Sequence, residues 1–434
     1  MKNKIFLLLF FIIIFISNLY AQSDVLNLSI DEAWLLMEKN NSELKQLLIN
    51  KEGIIREMTS KGYLIPSIGL SSGISRSSPL ISTFTNSDTI KKDEIDNWSF
   101  RGSFDIRYSI DLNKSLEDQI LGLEYKLLII QYESKIDDLY SNLKKLYYQI
   151  SGGERTIALQ DKIFNLSQTR FEQVEKQYNK GLVSELDLLT SKISVARDKP
   201  LLEKAKNDQE KRFITLKQYL GIDANSKINI INLENIEKKD KIMNDQLSEI
   251  TERNYDVQQK EIQLEIAIKN KMLTEKKQKN PTFGVSLGWS SNLSPVSNDW
   301  SDNTSFGLSF SLPIDSRIKG SSSEIAILKM EDSIMLLKMA VPELKRVISD
   351  KIRSISLDIE LSEANLKMKE LNIQLQEENY NKIRQNYENG RASLLDVDNN
   401  RQELQKSLVA FEDELLNYNL LMIDLYKLYG NYND

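Results

Sequence analysis

The stretch Tyr178-Asn179-Lys180-Gly181-Leu182-Val183-Ser184-Glu185-Leu186-Asp187 returns as Tyr387-Glu388-Asn389-Gly390-Arg391-Ala392-Ser393-Leu394-Leu395-Asp396, with its glycines 209 residues apart. A second pair, Gly221 and Gly430, keeps that spacing. Earlier in each copy, Pro66-Ser67-Ile68-Gly69-Leu70 pairs with Pro281-Thr282-Phe283-Gly284-Val285, and Ser99-Phe100-Arg101-Gly102 with Ser305-Phe306-Gly307-Leu308. Four landmarks in one order make the chain a tandem duplication, so whatever one half builds the other must build again.

The first repeat is expected over 22–221. It opens with a helix from the capping box Ser29-Ile30-Asp31-Glu32 to about Lys61. Strands follow at 66–76 and 97–112, then a long helix at 114–179, a Gly turn and a helix at 184–220. Residues 222–240 link the copies as a small mixed structure lying against the helices. The second repeat, 241–434, has a helix, strands at 281–291 and 303–314, a long helix to 388, its own turn and a helix at 393–429.

The N-terminus predicts the compartment. Lys2 and Lys4 precede an apolar run from Ile5 to Ile16, and Leu19-Tyr20-Ala21 ends on a small residue. That pattern reads as a secretory signal peptide over 1–21. No later run is apolar for long enough to cross a bilayer as a helix, which takes about 20 residues. The chain has no cysteine and no histidine. This removes disulfides, thiolate or imidazole metal sites, and nucleophilic sites that need a histidine base. A net charge of −6 on 434 residues argues against nucleic acid as a partner. The expectation is a non-enzyme without a cofactor.

Alternation identifies the strands. Phe283, Val285, Leu287 and Trp289 alternate with Gly284, Ser286 and Gly288, and Phe306, Leu308 and Phe310 with Gly307, Ser309 and Ser311. Successive residues point to opposite faces, so one face is apolar and the other small and polar. In the segment from Trp98 to Asp111, Phe100, Phe104, Ile106, Tyr108 and Ile110 share the apolar face, and Arg101, Asp105 and Arg107 the polar one. With tryptophans toward the strand ends and polar segments at 76–97 and 292–303, the pattern is that of outer-membrane strands. Arg101, Asp105 and Arg107 would then line a wet pore. The alternative is an exported coiled-coil structural or binding protein with a soluble β-sheet. Four strands cannot close a barrel, and open edges in lipid cost several kcal/mol per unpaired group. The chain must therefore oligomerise, and three copies would give twelve strands, wide enough for a pore.

The helices carry heptad seams, such as Leu116, Ile120, Leu123, Leu127 and Ile130, and later Leu404, Leu408, Phe411 and Leu415. Gly152-Gly153 is expected to bend or break the first long helix, and Pro200 and Pro342 to kink or end theirs.

Element order, duplication and the paired Tyr-x-x-Gly-x-x-Ser-x-x-Asp turns resemble the TolC family of outer-membrane efflux proteins over essentially the whole mature chain. The resemblance implies a mainly α fold with a transmembrane β part. Each protomer would give a long coiled-coil helical barrel its helices, and a shared 12-stranded β-barrel four strands. It implies a homotrimer in outer-membrane lipid with a periplasmic helical extension. Such a protein is the exit channel of a tripartite efflux or type I secretion system. Its partners would be a periplasmic adaptor and an inner-membrane RND or ABC transporter. Carried over, Gly181, Leu182, Val183, Ser184 and Gly390, Arg391, Ala392, Ser393 are adaptor-docking tips, and Tyr178, Asp187, Tyr387 and Asp396 form the periplasmic gate. Asp187 and Asp396 have a second reading, as helix caps. A further acid of the family falls on Asn399 here, with Asp398 one place off. Arg170 and Arg384 precede the tip tyrosines and are placed either to pair with those acids or to be solvated.

Overall fold

The order helix, helix, strand, strand, helix, helix occurs twice in the computed structural model of the protein. The structure describes residues 26–60, 65–77, 97–110, 112–231, 244–294, 299–314 and 318–429. The expected signal peptide at 1–21, Asp111, Gly430, much of the segments between paired strands and 232–240 of the link lie outside the described residues.

A short strand β1 (Leu26–Leu28) precedes the first copy, which comprises α1 (Ile30–Asn40), α2 (Ser42–Thr59), β2 (Ser67–Ser77), β3 (Asn97–Ile110), α3 (Lys114–Tyr178) and α4 (Glu185–Leu220). In the link, β4 (Ile228–Ile230) pairs in parallel with β1. The second copy comprises α5 (Asn244–Arg253), α6 (Tyr255–Lys279), β5 (Thr282–Ser294), β6 (Asp299–Ser311), α7 (Ser322–Glu388) and α8 (Leu394–Leu428). The fold is mainly α, internally duplicated, with a four-stranded β part.

One expected helix is two. The helix expected from Ser29 to Lys61 stops at Asn40, because Asn41 takes an extended ψ of 120° and its Oδ1 accepts from Leu44 N at 2.9 Å. That bond satisfies an orphan N–H at the start of α2. Asn254 separates α5 from α6 in the same way, its Oδ1 accepting from Asp256 N at 3.0 Å. In each copy an asparagine amide at this break also caps the closing helix: Asn40 Nδ2 donates to Leu220 O at 2.9 Å and Asn254 Nδ2 to Leu428 O at 3.3 Å.

At three positions where a bend or break, or a kink or end, was expected, the helix does not end. α3 runs through Gly152-Gly153, and α4 and α7 run through Pro200 and Pro342. Gly153 serves close approach instead. A Cβ there would collide with Gln209 and Arg212 of α4, and Gln209 Nε2 donates to Ile150 O at 3.0 Å.

The chain forms two compact units. The first, 1–47, 131–258 and 343–434, holds a core for each repeat. Met37, Leu143, Tyr147, Ile150, Leu216 and Leu220 are fully buried in one, and Val257, Ile352 and Met422 in the other, with Ile359 nearly so. Each such side chain contributes about 1.5–3 kcal/mol through lost apolar exposure. Tyr147 keeps its hydroxyl satisfied on Leu28 O at 3.2 Å and Ser29 O at 3.1 Å, and burial pushes its pKa up.

The second unit, 48–130 and 259–342, holds an antiparallel sheet of order β2-β3-β5-β6. Its two central strands come from different repeats, joined through Phe104↔Trp289, Ile106↔Leu287 and Ile110↔Phe283. β5 and β6 reach further toward their turn than expected: Asn292 pairs with Ser301 and Ser291 with Asp302. Ladder bonds are made by main chain, so polar side chains do not end a strand.

Candidate functional site

The sheet sorts its residues by face. Ile68, Leu70 and Ile74 of β2 stand opposite Ile106, Phe104 and Phe100 of β3, and Leu287 and Val285 of β5 opposite Phe306 and Leu308 of β6. This face is uncovered: Leu70 is 84% exposed, Leu308 74% and Trp300 57%. Apolar surface on this scale in water marks a binding or membrane surface. The opposite face is small and close. A Cβ on Gly284, Gly288 or Gly307 would come within 2.5–2.8 Å of a serine Oγ on the facing strand. Ser71 and Ser103 share a hydrogen bond of 2.7 Å, as do Ser75 and Ser99. The three sequence-predicted pore residues lie on this face. Arg101 Nε donates to Asn292 Oδ1 at 2.9 Å, and Arg107 Nε lies 3.1 Å from Asp105 Oδ2.

The two Gly turns are built alike. Gly181 and Gly390 take φ of 71° and 70°, a region where a Cβ is strained. Leu182 N donates to Gln177 O at 2.9 Å and Gly181 N to Tyr178 O at 2.8 Å; Arg391 N donates to Asn386 O at 2.7 Å and Gly390 N to Tyr387 O at 2.9 Å. Both are Schellman endings, which satisfy the last carbonyls of α3 and α7. The returning helices start on capping boxes. Ser184 Oγ donates to Asp187 Oδ2 at 2.6 Å and Ser393 Oγ to Asp396 Oδ2 at 2.7 Å, while each aspartate N–H donates back to its serine at 3.2 Å. Hydrogen bonds from the Ser393 side chain and backbone hold the Asp396 carboxyl below its ordinary value. Among the described residues neither aspartate bonds to a tip tyrosine. Tyr387 instead lies under the Arg170 guanidinium, 5.3 Å from its ring centre, and Arg384 reaches Glu388 at 3.7 Å.

Behind the turns lies a cluster that sequence reasoning passed over. Asp198 of α4 is 0% exposed and Arg401 of α8 8%, and Arg401 Nη1 lies 2.9 Å from Asp198 Oδ2. Arg401 Nη2 also meets Asp398 Oδ1 at 3.0 Å, and Arg197 Nη1 meets Asp398 Oδ2 at 3.3 Å. Ser194 Oγ and Gln402 Nε2 donate to Asp398 at 2.7 and 2.8 Å. Burial pushes Asp398 up, but these hydrogen bonds outweigh it and hold the carboxyl below its ordinary value. Burial likewise disfavours charged Arg401, and the Asp198 and Asp398 charges more than restore it. The quartet is neutral and joins the two returning helices. Its signal was present, because Arg401 follows Leu394 and Val397 on one inward row and Asp198 precedes Leu202 on another. Beside it a cavity of about 390 Å³ is lined by Arg170, Arg384, Tyr387, Leu394 and Arg401.

Among the described residues no group of three acidic side chains could hold a metal ion, and no helix is long and apolar enough to cross a membrane.

The profile of the outer membrane efflux protein family matches residues 60–222 and 246–431, so its two segments cover both repeats. The chain belongs to the outer membrane efflux protein family. This efflux protein is accordingly an outer-membrane exit channel, with its sheet in the outer membrane and its helical part periplasmic. Solved structures agree on the fold. A membrane protein from Pseudomonas aeruginosa matches with a TM-score of 0.74 at 16% identity, covering 94% of this chain and 92% of that one. The CmeC outer membrane channel of Campylobacter jejuni gives 0.73 at 17%, covering 92% and 85%. The outer membrane protein VceC of Vibrio cholerae gives 0.70 at 14%, covering 92% and 96%. No curated protein sequence matches the chain. Membership of that family, beside the uncovered apolar face, favours the channel over the soluble-sheet alternative.

Proposed function

We propose that this efflux protein works as a homotrimer. It would receive substrate from an inner-membrane RND or ABC transporter through a periplasmic adaptor and conduct it outward without chemical change. The observation that carries the reading is the sheet: four strands, β2 and β6 at its open edges, and an apolar face on which Leu70, Phe306 and Leu308 are largely exposed. In lipid those edges must be paired, and the next copy supplies the strands. Arg101, Asp105 and Arg107 would line the water-filled interior, as the small, polar face opposite the lipid.

The turns at Gly181-Leu182-Val183-Ser184 and Gly390-Arg391-Ala392-Ser393 are our docking tips for the adaptor. Leu182 is 70% exposed there, an apolar side chain left largely uncovered by the described residues. Tyr178 and Tyr387, with Asp187 and Asp396 just beyond each turn, are our candidates for the gate. The aspartates act through the caps they complete, because their carboxylates are already engaged by Ser184 and Ser393. The test is Gly390→Pro beside Gly181→Pro in cells that depend on the pump. Proline removes the N–H that each Schellman turn uses and cannot take the positive φ. Trimer is expected to form and export to be lost; normal export in both variants would overturn the docking assignment.

A further inference from the structure

The cavity of about 390 Å³ beside the quartet draws its walls from all four long helices, α3, α4, α7 and α8. That is room for a small organic molecule. Part of the wall is apolar. Val174 and Leu394 are almost fully buried there, and Tyr380 and Tyr387 add two rings. The buried serines among them are already engaged. Ser167 Oγ donates to Phe164 O at 2.9 Å and Ser191 Oγ to Leu188 O at 2.8 Å, so neither keeps its proton for a ligand.

The charge of the wall does not cancel. Arg401 and Asp398 belong to the neutral quartet, and Glu388 reaches Arg384 at 3.7 Å. Arg170 is left over. It is half-buried, its guanidinium lies 5.3 Å from the centre of the Tyr387 ring, and it makes no hydrogen bond or ion pair among the described residues. A ring face attracts a guanidinium but offers its N–H groups no oxygen. The fork of donors therefore stays free for a planar, two-oxygen acceptor. Water answers such donors but gains nothing from the apolar wall beside them. An inorganic anion has the same defect, a neutral molecule leaves the charge unanswered, and a cation is repelled.

We propose that this cavity binds an organic anion, a carboxylate or sulfonate carried on a flat apolar body. The anionic group takes the N–H fork of Arg170, and the body lies against Val174, Leu394 and the two tyrosine rings. Every wall comes from one chain, so the site goes beyond the channel reading and does not depend on how copies assemble. The duplication supplies no twin. Asn379 holds the place of Arg170 in the second copy, 209 residues on, so the site occurs once per chain.

Naphthoate is the probe, because its ring system fits the cavity and its carboxylate is ionised at neutral pH. The full protein, purified and held in lipid nanodiscs, is titrated with naphthoate by calorimetry, with empty nanodiscs as the blank. One saturable site per chain is expected. Naphthamide keeps the body and loses the charge, and sulfate keeps the charge and loses the body. Each should bind about tenfold more weakly, or worse. Arg170→Gln should weaken naphthoate binding by a similar factor. Arg170→Lys should fall in between, since lysine keeps the charge and loses the fork. An absence of saturable binding overturns the site. Naphthamide equal to naphthoate overturns the anion, and sulfate equal to it overturns the apolar body. An unchanged affinity in Arg170→Gln overturns the placement on that residue. The lack of cysteine gives a second measurement, which stands even where Arg170→Gln does not fold. Gln173 is exposed and lines the same cavity. Gln173→Cys should react with a neutral maleimide several-fold more slowly in naphthoate than in naphthamide, and equal rates overturn the proposal.

Discussion

Asp137 is almost sealed among the helices of its unit, 7% exposed, and its Oδ2 has no hydrogen-bond partner among the described residues. Burial, and then the charges of Asp138 and Glu133, push the carboxyl up to about 6, against the opposing pull of Lys427 and a hydrogen bond with Tyr255. Lys427 is itself engaged by Asp138 at 2.6 Å. A folded value above the unfolded one means that the protonated form is favoured in the fold. The stability from this group is full below about pH 4, falls as pH rises to about 6, and is absent above. Asp137→Asn mimics the protonated form. It should therefore unfold at a higher temperature than the parent at about pH 7.5, by the equivalent of about 3 kcal/mol, and match it near pH 4. Thermal unfolding at the two pH values checks this; equal melting at both would show that the carboxylate reaches solvent. Asp198 Oδ2 likewise has no hydrogen-bond partner among the described residues, and the difference lies in charge. That residue is still more buried but faces Arg401 and Arg197, so its charge is answered where that of Asp137 is not.

At the scale of elements, each tip is a Schellman ending followed two residues later by a capping box, and glycine is the residue the first half requires. Gly390→Ala should destabilise the α7–α8 hairpin by about 1 kcal/mol, because alanine pays for the φ of 70° that glycine adopts freely. No atom lies within 4 Å of where the new Cβ would stand, so the cost is conformational alone. Urea unfolding of the variant checks it, and an unchanged midpoint would mean that the turn relaxes to another conformation. These tips were legible in the sequence because their chemistry is local: a glycine, a serine and an aspartate three residues on. The strand faces were legible too, since a period of two survives any error in strand length. The helix break at Asn41 was not, because Asn40 and Asn41 sit in an otherwise helical pattern and only the side-chain bond to Leu44 decides the stop. Gly153 was misread for a related reason. Its role depends on Gln209 and Arg212 of another helix, more than 50 residues away in sequence. Of the quartet only half was legible: the inward rows place Asp198 and Arg401 on buried faces, but nothing local says that α4 and α8 are neighbours.

At the scale of the whole molecule, the sheet decides what the chain can be. Its apolar face has the polarity of an inside turned out, and its other face sets glycines against serines, with Arg101, Asp105 and Arg107 among them. The side of a residue, more than its identity, should then decide what a charge does there. Leu308 lies on the apolar face of β6, opposite Val285 and 74% exposed; Asn303, on the same strand, lies on the other face opposite Ser290. Both are exposed in the isolated chain, so a water-soluble sheet would accept arginine at either position with little effect. A lipid-facing sheet would not. Leu308→Arg should cost about 2–4 kcal/mol if it falls near the middle of the bilayer, and less toward its rim. Asn303→Arg, facing water inside the barrel, should cost close to nothing. The measurement is the amount of heat-modifiable trimer recovered from outer-membrane fractions. A marked loss for Leu308→Arg with parental recovery for Asn303→Arg is the expected result. Equal recovery of the two variants would mean that the apolar face does not meet lipid, and an outer-membrane barrel could not then be built from this sheet.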